Sequence, residues 1–241
     1  MGGELPGLVI LWSNEGVWHM VWHVMWHIMW HTYLPAINSP KPNVMEFVDG
    51  NLYHIYNRGN NRTRLFFNHE NYTCFLNKVR EYMVPVCDII NYSLMPNHFH
   101  FLIHANSITE TVVKRALASS NVLSEAIRNL LSSYAKILNH QQDKTGNLFQ
   151  QNTNAKCLTS ENAKKSYSNT CFHYIHQNAW KAGLVPRMEE WEYCSFLDYM
   201  GVRKKTFCNL SLGCQLLDLD LRTFYKDSYG VIDTDTLSFL Y

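Results

Sequence analysis

A pair of histidines separated by one aromatic residue is the feature of this sequence best suited to chemistry. His98 and His100 stand in an apolar run that follows Pro96 and Asn97 and continues to His104. Because side chains alternate between the two faces of a strand, both imidazoles are expected on one face and the intervening phenylalanines on the other. The aromatic face would belong to the core. The histidine face would be open, and its two imidazoles could share a metal ion.

A helix further along the chain offers side chains that complement these histidines. At about 100° per residue, Tyr174, Gln177, Asn178 and Lys181 fall on one face, and an apolar set falls on another: Cys171, Phe172, Ile175, Ala179 and Ala182. A solvated polar helix face would look the same. Two imidazoles and one amide oxygen would nevertheless make a three-ligand site with open positions, which suits Mg²⁺ or Mn²⁺ on a phosphate substrate.

The chemistry that such a site could perform is phosphoryl transfer. The ion would act as a Lewis acid on the phosphate, and Tyr174 beside it could attack phosphorus. A free phenol has a pKa of about 10 and is a weak nucleophile at neutral pH. Proximity to the ion or to Lys181 would favour the phenolate. The residues alone also allow a simpler interpretation, in which His98 and His100 are only strand histidines.

Periodicity and turn residues predict the elements that position these groups. Strands are predicted over residues 52–57, 88–94 and 98–104 and within 148–158, and helices over residues 69–83, 107–140 and 159–183. Ser107 and Glu110 form a capping box for the second helix, and Ser160 is the expected N-cap of the third. This order predicts an α+β fold, a ferredoxin-like sandwich with a central antiparallel sheet. Helices would cover one face, and a C-terminal catalytic helix would lie at the other.

The loop after the first strand carries donors suited to a nucleic acid. Residues 58–64 contain three arginines, two asparagines and one glycine. These side chains and a bendable backbone suit contacts with phosphates or bases, although solvated turns of this composition are common.

Charge and cysteine content narrow the class of protein. Residues 45–205 carry 18 Lys and Arg against 13 Asp and Glu, whereas residues 206–241 carry 2 against 5. The mildly basic middle is compatible with nucleic-acid binding and equally with an ordinary surface. The seven cysteines are odd in number and include no C-x-x-C pair. This pattern argues against a disulfide framework and a Cys-based zinc site, and it favours a reducing compartment.

The sequence patterns divide the chain into three parts. Residues 1–44 contain four Trp-His pairs with a period of four residues. They could form a metal-binding helical stripe, but we expect an atypical extension that is disordered or not native. Its apolar run over residues 17–30 is too short for a membrane span, and no membrane association is predicted. A single domain is expected over residues 45–201, followed by an acidic extension over residues 202–241.

Four ordered motifs resemble the REP-associated tyrosine transposases, which are HUH single-strand DNA nucleases with one catalytic tyrosine. The motifs are YHIYNRGNNR at residues 53–62, LMPNHFH at 94–100, GNLFQ at 146–150 and YIHQNAWKAGLV at 174–185. The resemblance extends over about residues 46–201. Four motifs in this order are much more specific than a His-x-His pair alone.

The resemblance implies a defined reaction and a set of residue roles. Such proteins cleave single-stranded DNA beside a hairpin with a divalent metal ion, here Mg²⁺ or Mn²⁺, and form a 5′-phosphotyrosine link that leaves a free 3′-OH. The hydroxyl can rejoin another strand, which results in DNA transposition. By position, His98 and His100 would be metal ligands and Tyr174 the nucleophile. Asn178 would be the third ligand, with Gln177 as its competitor.

The expected partner is a single-stranded DNA hairpin, bound by a monomer or a homodimer in the bacterial cytoplasm, at the nucleoid. The residues that would contact the DNA are Arg58, Asn60, Asn61, Arg62 and Lys181. Lys114, Arg115 and Arg128 could hold hairpin phosphates or could simply face solvent.

Two further residues have alternative assignments, one as the nucleophile and one as a metal ligand. Tyr167 lies on the same helix face as Tyr174, two turns earlier, but it lacks an amide pair three and four residues later. It therefore ranks below Tyr174 as the nucleophile. His54 could face the metal ion from the first strand or be a packed strand histidine.

The sequence also departs from the family pattern. Ala179 stands where proline is usual, and Gln151–Asn154 occupy positions where basic residues are common. The second change could weaken or alter DNA contacts, but neither removes a proposed catalytic group. Two other functions stay open: a relaxase- or replication-initiator-like nickase, against which the single tyrosine argues, and a domesticated hairpin-binding protein that no longer cuts.

Overall fold

The structure is a computed structural model that describes residues 46–114, 119–159, 166–230 and 232. The predicted extension over residues 1–44, the phosphate-contact candidate Arg115 and the expected N-cap Ser160 lie outside these residues.

The strands of the described residues form one main sheet and one small hairpin. The strands are β1 (Leu52–Arg58), β2 (Asp88–Met95), β3 (His98–His104), β4 (Val112–Lys114), β5 (Ser119–Asn121) and β6 (Asn154–Cys157). The main sheet has the order β2-β3-β1-β6, and every neighbouring pair is antiparallel. Strands β4 and β5 pair only with each other. The predicted α+β fold with a central antiparallel sheet is confirmed.

Helices lie on both faces of this sheet. They are α1 (His69–Tyr82), α2 (Val122–Gln141), α3 (Ser166–Lys181), α4 (Phe196–Tyr199), α5 (Leu210–Leu217) and α6 (Phe224–Ser228). Among the described residues, no helix combines the length and the apolar character needed to cross a membrane. All seven cysteines are free.

The first core lies between the sheet and the helices α1 and α2. Phe99 and Phe101 point into it from β3, and Phe75 and Tyr134 meet them from the two helices. These four side chains are buried, as the alternation along β3 predicts for its aromatic face. The Asn68 side chain caps α1 by accepting a hydrogen bond from the Asn71 backbone N–H at 3.0 Å.

The second core covers the face that carries the histidines. Helix α3 contributes Phe172 and Ile175 to it, and the C-terminal segment contributes Leu217 and Phe224, all of which are buried with Leu102 of β3. The expectation that this face would be open is therefore wrong. The weakly periodic residues after 206 supply enough apolar surface to cover it, which their sequence pattern did not indicate.

The helix predicted over residues 107–140 is shorter than expected. A turn occupies residues 107–110, the β4–β5 hairpin follows, and α2 begins only at Val122. The β-branched Val112 and Val113 favour a strand, and the Asn121 side chain caps α2 by accepting from the Ser124 N–H at 2.8 Å. The predicted fourth strand is likewise short, because only Asn154–Cys157 of residues 148–158 form it.

We expect the change Tyr134→Phe to lower the free energy of unfolding by about 1–3 kcal/mol. The buried Tyr134 hydroxyl donates to the Leu65 carbonyl at 2.6 Å, and the substitution would leave that carbonyl without its donor. Urea denaturation followed by circular dichroism measures the effect. Tyr225→Phe, at a side chain 43% exposed, is the matched control and should change stability by less than about 0.5 kcal/mol. Equal effects of the two substitutions would contradict the prediction.

Candidate active site

The register of the two central strands brings a row of polar side chains onto one face. His98 lies opposite Arg58, and His100 lies opposite Tyr56. Opposed residues of an antiparallel pair point to the same side of the sheet. His54, two residues before Tyr56 on β1, therefore joins this face as well. The site is thus built from two strands that pair directly.

His100 lies at the centre of this row. It is 1% exposed, and its Nδ1 atom lies 2.9 Å from Nε2 of His54. Its own Nε2 atom is buried and has no hydrogen-bond partner. Burial lowers the pKa of His100 well below its usual value, and the neighbouring His54 and His98 act in the same direction. His100 is therefore a neutral imidazole with one ring nitrogen available.

The tautomer of His98 is fixed by its neighbour in the chain, Asn97. Its Nδ1–H donates to the side-chain oxygen of Asn97 at 2.7 Å, which leaves the lone pair on Nε2. Burial, and secondarily the positive charge of Arg58, lower the pKa of His98 to about 4. The rings of His98 and His100 are nearly perpendicular, with centroids 5.1 Å apart. Both histidines are thus neutral near pH 7.

Helix α3 places Tyr174 against these imidazoles. The Tyr174 ring meets the His100 ring edge-on at a centroid distance of 5.8 Å and the His54 ring at 6.5 Å. The buried Ile175 anchors this part of the helix in the second core. The Asn91 amide of β2 donates to the Phe172 carbonyl at 2.8 Å, which ties the helix to the sheet. The structure therefore brings the predicted nucleophile to the predicted histidine ligands.

The two candidate amide ligands have different surroundings. Asn178 follows Tyr174 by one helical turn, is 9% exposed, and its Nδ2 atom has no hydrogen-bond partner. Gln177 is fully buried, its Nε2 atom donates to the carbonyls of Ser228 at 2.7 Å and Gly230 at 2.9 Å, and its Oε1 atom has no hydrogen-bond partner. The C-terminal segment therefore holds the Gln177 side chain, whereas Asn178 remains on the side of Tyr174.

The donor set fits a hard divalent cation. Each imidazole has its Nδ1 atom in a hydrogen bond, as ligating histidines usually do, so the Nε2 atoms are the available donors. The partnerless, buried Nε2 of His100 is an atom that a cation would satisfy. An amide oxygen from Asn178 would add the oxygen character that Mg²⁺ and Mn²⁺ prefer.

The predicted DNA-contacting loop lies beside the turn that precedes His98. Arg58, Asn60, Asn61 and Arg62 are all exposed. The Gly59 N–H donates to the Asn97 carbonyl at 2.8 Å. A Cβ atom at this glycine would lie 2.0 Å from the Thr63 carbonyl oxygen, so the tight turn requires glycine.

The loop and the histidine strand β3 are therefore both held at the turn that contains Asn97.

The other residues that were predicted to contact DNA lie outside this loop. Lys181 is exposed at the last residue of α3, and Lys114 is exposed on β4. Arg128 is paired with Glu125 at 2.6 Å, so its charge is already partly neutralised within α2.

Tyr56 and Lys156 also lie on the face that carries the site, and no motif of the sequence had indicated them. The Tyr56 ring lies 5.8 Å from the His100 ring, and Lys156 of β6 lies opposite His54. Burial lowers the pKa of Lys156. Alternation along β1 could have identified Tyr56. The position of Lys156 on this face depends on the register of β6, which no local sequence pattern indicates.

Comparisons with known proteins give a structural likeness but no match at the level of sequence. No protein-family model and no curated protein matches the sequence. Among solved structures, the chain is similar to a REP-associated tyrosine transposase bound to a REP hairpin, with a TM-score of 0.48 and 14% identity. The match covers 67% of this chain and 86% of that chain.

We expect His176 to make the fold sensitive to acid. This residue of α3 is 1% exposed, its Nε2 lies 2.9 Å from the Ser195 hydroxyl, and burial, with the nearby His173, lowers its pKa well below the usual value. The unfolded chain therefore binds a proton that the folded chain does not. The resulting stability is complete above a pH of about 6.5 and is lost as the pH falls further, by about 1.4 kcal/mol per pH unit.

Urea denaturation between pH 7.5 and pH 5 measures this dependence. In His176→Gln the slope of unfolding free energy against pH should be smaller by the contribution of one proton. His140→Gln, at an exposed position of α2, is the control and should keep the parent slope. An unchanged slope in His176→Gln would show that the buried imidazole is not the source.

Proposed function

We propose that this protein cleaves and rejoins single-stranded DNA at hairpin-flanked sites, with Tyr174 as nucleophile and a divalent metal ion as cofactor. The observation that carries the proposal is the edge-on approach of Tyr174 to His100, whose buried Nε2 atom has no partner. The four ordered motifs of the sequence support the same assignment. They include the His98–His100 strand and the segment that begins at Tyr174.

The ion would be held by Nε2 of His98, Nε2 of His100 and the side-chain oxygen of Asn178. Mg²⁺ or Mn²⁺ bound there supplies a Lewis acid for the scissile phosphate. Neutral imidazoles are needed for this role because a protonated ring has no lone pair to offer. The lowered pKa values of His98 and His100 meet this need at neutral pH. Gln177 is the competing third ligand: its buried Oε1 atom has no hydrogen-bond partner, but its Nε2 bonds hold the side chain against the C-terminal segment.

Tyr174 would perform the covalent step. Its phenolic oxygen forms a bond to phosphorus, and the bond from phosphorus to the 3′ oxygen of the preceding nucleotide breaks. The phenol proton passes to solvent, and the departing oxygen takes up a proton to become a free 3′-OH. The product is a 5′-phosphotyrosine, which the 3′-OH of a second strand can attack to restore the phenol. The half-buried position of Tyr174 lets it contact both the histidines and a bound strand.

The exposed loop next to the site would hold the DNA. Arg58 and Arg62 carry charges suited to phosphates, and Asn60 and Asn61 carry amides suited to base edges. Arg58 lies directly opposite His98, so a phosphate that it contacts would be close to the proposed ion. Lys181, at the end of α3, would add a further positive charge. The proposed partner is a single-stranded DNA hairpin, bound by a monomer or a homodimer.

We expect Tyr174→Phe to abolish the covalent protein–DNA adduct while leaving hairpin binding close to that of the parent. The phenyl ring keeps the packing against His100 but has no oxygen to attack phosphorus. A labelled hairpin oligonucleotide with Mg²⁺ or Mn²⁺, separated on a denaturing gel, reports the adduct. The matched control is Tyr167→Phe, on the same helix, which should still form it. An adduct that persists in Tyr174→Phe would remove this tyrosine as nucleophile.

The same assay separates cutting from binding alone. If the parent protein binds the hairpin tightly and forms no adduct with either metal ion, it is a hairpin-binding protein without nuclease activity. Rejoining of the cleaved strand to a second oligonucleotide separates a transposase from a nickase that only cuts.

We expect Asn178→Ala to weaken Mn²⁺ binding by at least about 10-fold, since a direct ligand contributes no less than the groups that orient ligands. Gln177→Ala should leave the Mn²⁺ affinity near that of the parent and should instead lower stability, because the Ser228 and Gly230 carbonyls lose their donor. Isothermal titration calorimetry measures the first effect and thermal unfolding the second. The reverse outcome would make Gln177 the third ligand.

A further inference from the structure

We propose that His54 is a positioning residue that fixes the tautomer and the orientation of His100, so that Nε2 of His100 faces the metal ion. The proposal rests on the metal-dependent function proposed above. It assigns His54 a role other than that of a ligand or of a simple packed strand residue.

The geometry of the two rings is that of an N–H···N hydrogen bond. Nε2 of His54 and Nδ1 of His100 are 2.9 Å apart, and both side chains are almost completely buried, at 0% and 1% exposure. The ring planes differ by only 19°, and the centroids are 5.1 Å apart. A short nitrogen–nitrogen distance between nearly coplanar rings means that they meet edge to edge, which is the arrangement a ring N–H needs to donate well.

The position of the proton between the two rings is decided by metal binding. If His54 donated, His100 would carry its own proton on Nε2, and no lone pair would remain there for a cation. If His100 donates from Nδ1 to His54, its Nε2 keeps a lone pair that a cation can satisfy, and His54 carries its proton on its own buried Nδ1 atom. Metal binding at Nε2 therefore selects the tautomer in which His54 accepts.

The same geometry argues against His54 as a ligand to the ion. Its Nε2 atom is occupied by the contact with His100, and in the tautomer that accepts there its Nδ1 atom carries the proton and offers no lone pair. A similar pairing exists at His98, where Asn97 accepts from Nδ1 at 2.7 Å. Each proposed histidine ligand thus has one acceptor for its Nδ1–H. The acceptor of His98 is its neighbour in the chain, whereas that of His100 comes from β1, 46 residues away.

Mn²⁺ titration calorimetry on the full chain without DNA tests the proposal through three variants. His54→Leu cannot accept a hydrogen bond and should weaken Mn²⁺ binding by about 10- to 100-fold. In His54→Gln the side-chain oxygen can reach the position of the lost Nε2, and this variant should recover most of the affinity. His104→Gln removes an imidazole from the far end of the same face, where it lies beside Asp88, and should bind as the parent does.

A second measurement follows the tautomer itself. Long-range ¹H–¹⁵N spectra of the protein with Mg²⁺ in excess should show His100 protonated on Nδ1 in the parent and in His54→Gln, but not in His54→Leu. Circular dichroism on each variant establishes that the fold is retained. A purely structural role would lower stability without moving the His100 tautomer.

Three results would overturn the proposal. They are parent-like Mn²⁺ affinity in His54→Leu, failure of His54→Gln to recover affinity, and a parent His100 protonated on Nε2. A parent that binds neither Mn²⁺ nor Mg²⁺ would instead refute the metal site of the proposed function. Parent-like affinity in His54→Leu refutes only the role of His54, so the two failures can be told apart.

Discussion

At the centre of the sheet, β1 and β3 run antiparallel through seven matched pairs, from Leu52 opposite His104 to Arg58 opposite His98. Because side chains alternate between faces, this register collects the imidazoles of both strands on one side and large apolar side chains on the other. A slip of one residue would send every side chain of one strand to the opposite face. The first core and the candidate site therefore depend on the same set of backbone hydrogen bonds.

The face that α3 covers contains buried polar groups as well as apolar ones. Burying a polar group without a partner is costly, and most of these groups have one. Asn91 donates to the Phe172 carbonyl, and His54 pairs with His100. Several buried polar atoms on this face have no hydrogen-bond partner, among them Nε2 of His100, Oε1 of Gln177 and Nδ2 of Asn178. Such groups call for an explanation, and a site for a ligand is one of them.

The short turn before β3 joins the two halves of the site. The Pro96 carbonyl accepts from the Leu65 N–H at 2.7 Å, and the Asn97 carbonyl accepts from Gly59. The Asn97 side chain also accepts from His98. One turn thus holds the base of the arginine-containing loop and orients a proposed metal ligand. A strand bound by the loop would therefore be placed in a fixed relation to the histidines.

Local patterns in the sequence determined much of this arrangement. Alternation along residues 98–104 separated the histidine face from the aromatic face, and the helical period placed Tyr174 and Asn178 one turn apart. These properties depend on spacing between near neighbours, so a single sequence is enough to reveal them. The same reasoning failed for residues 107–114 and 119–121, where β-branched side chains and the Asn121 cap outweighed an apparent capping box.

Only the tertiary structure decided the features that join distant parts of the chain. The helical projection could not separate Gln177 from Asn178, because both lie on the polar side of α3. The bonds from Gln177 to Ser228 and Gly230 separate them, at a sequence distance of more than fifty residues. The pairing of His54 with His100 and the place of Lys156 opposite His54 likewise depend on strand register. Register is set by packing between segments that are remote in sequence. It therefore cannot be deduced from the spacing of residues within one segment.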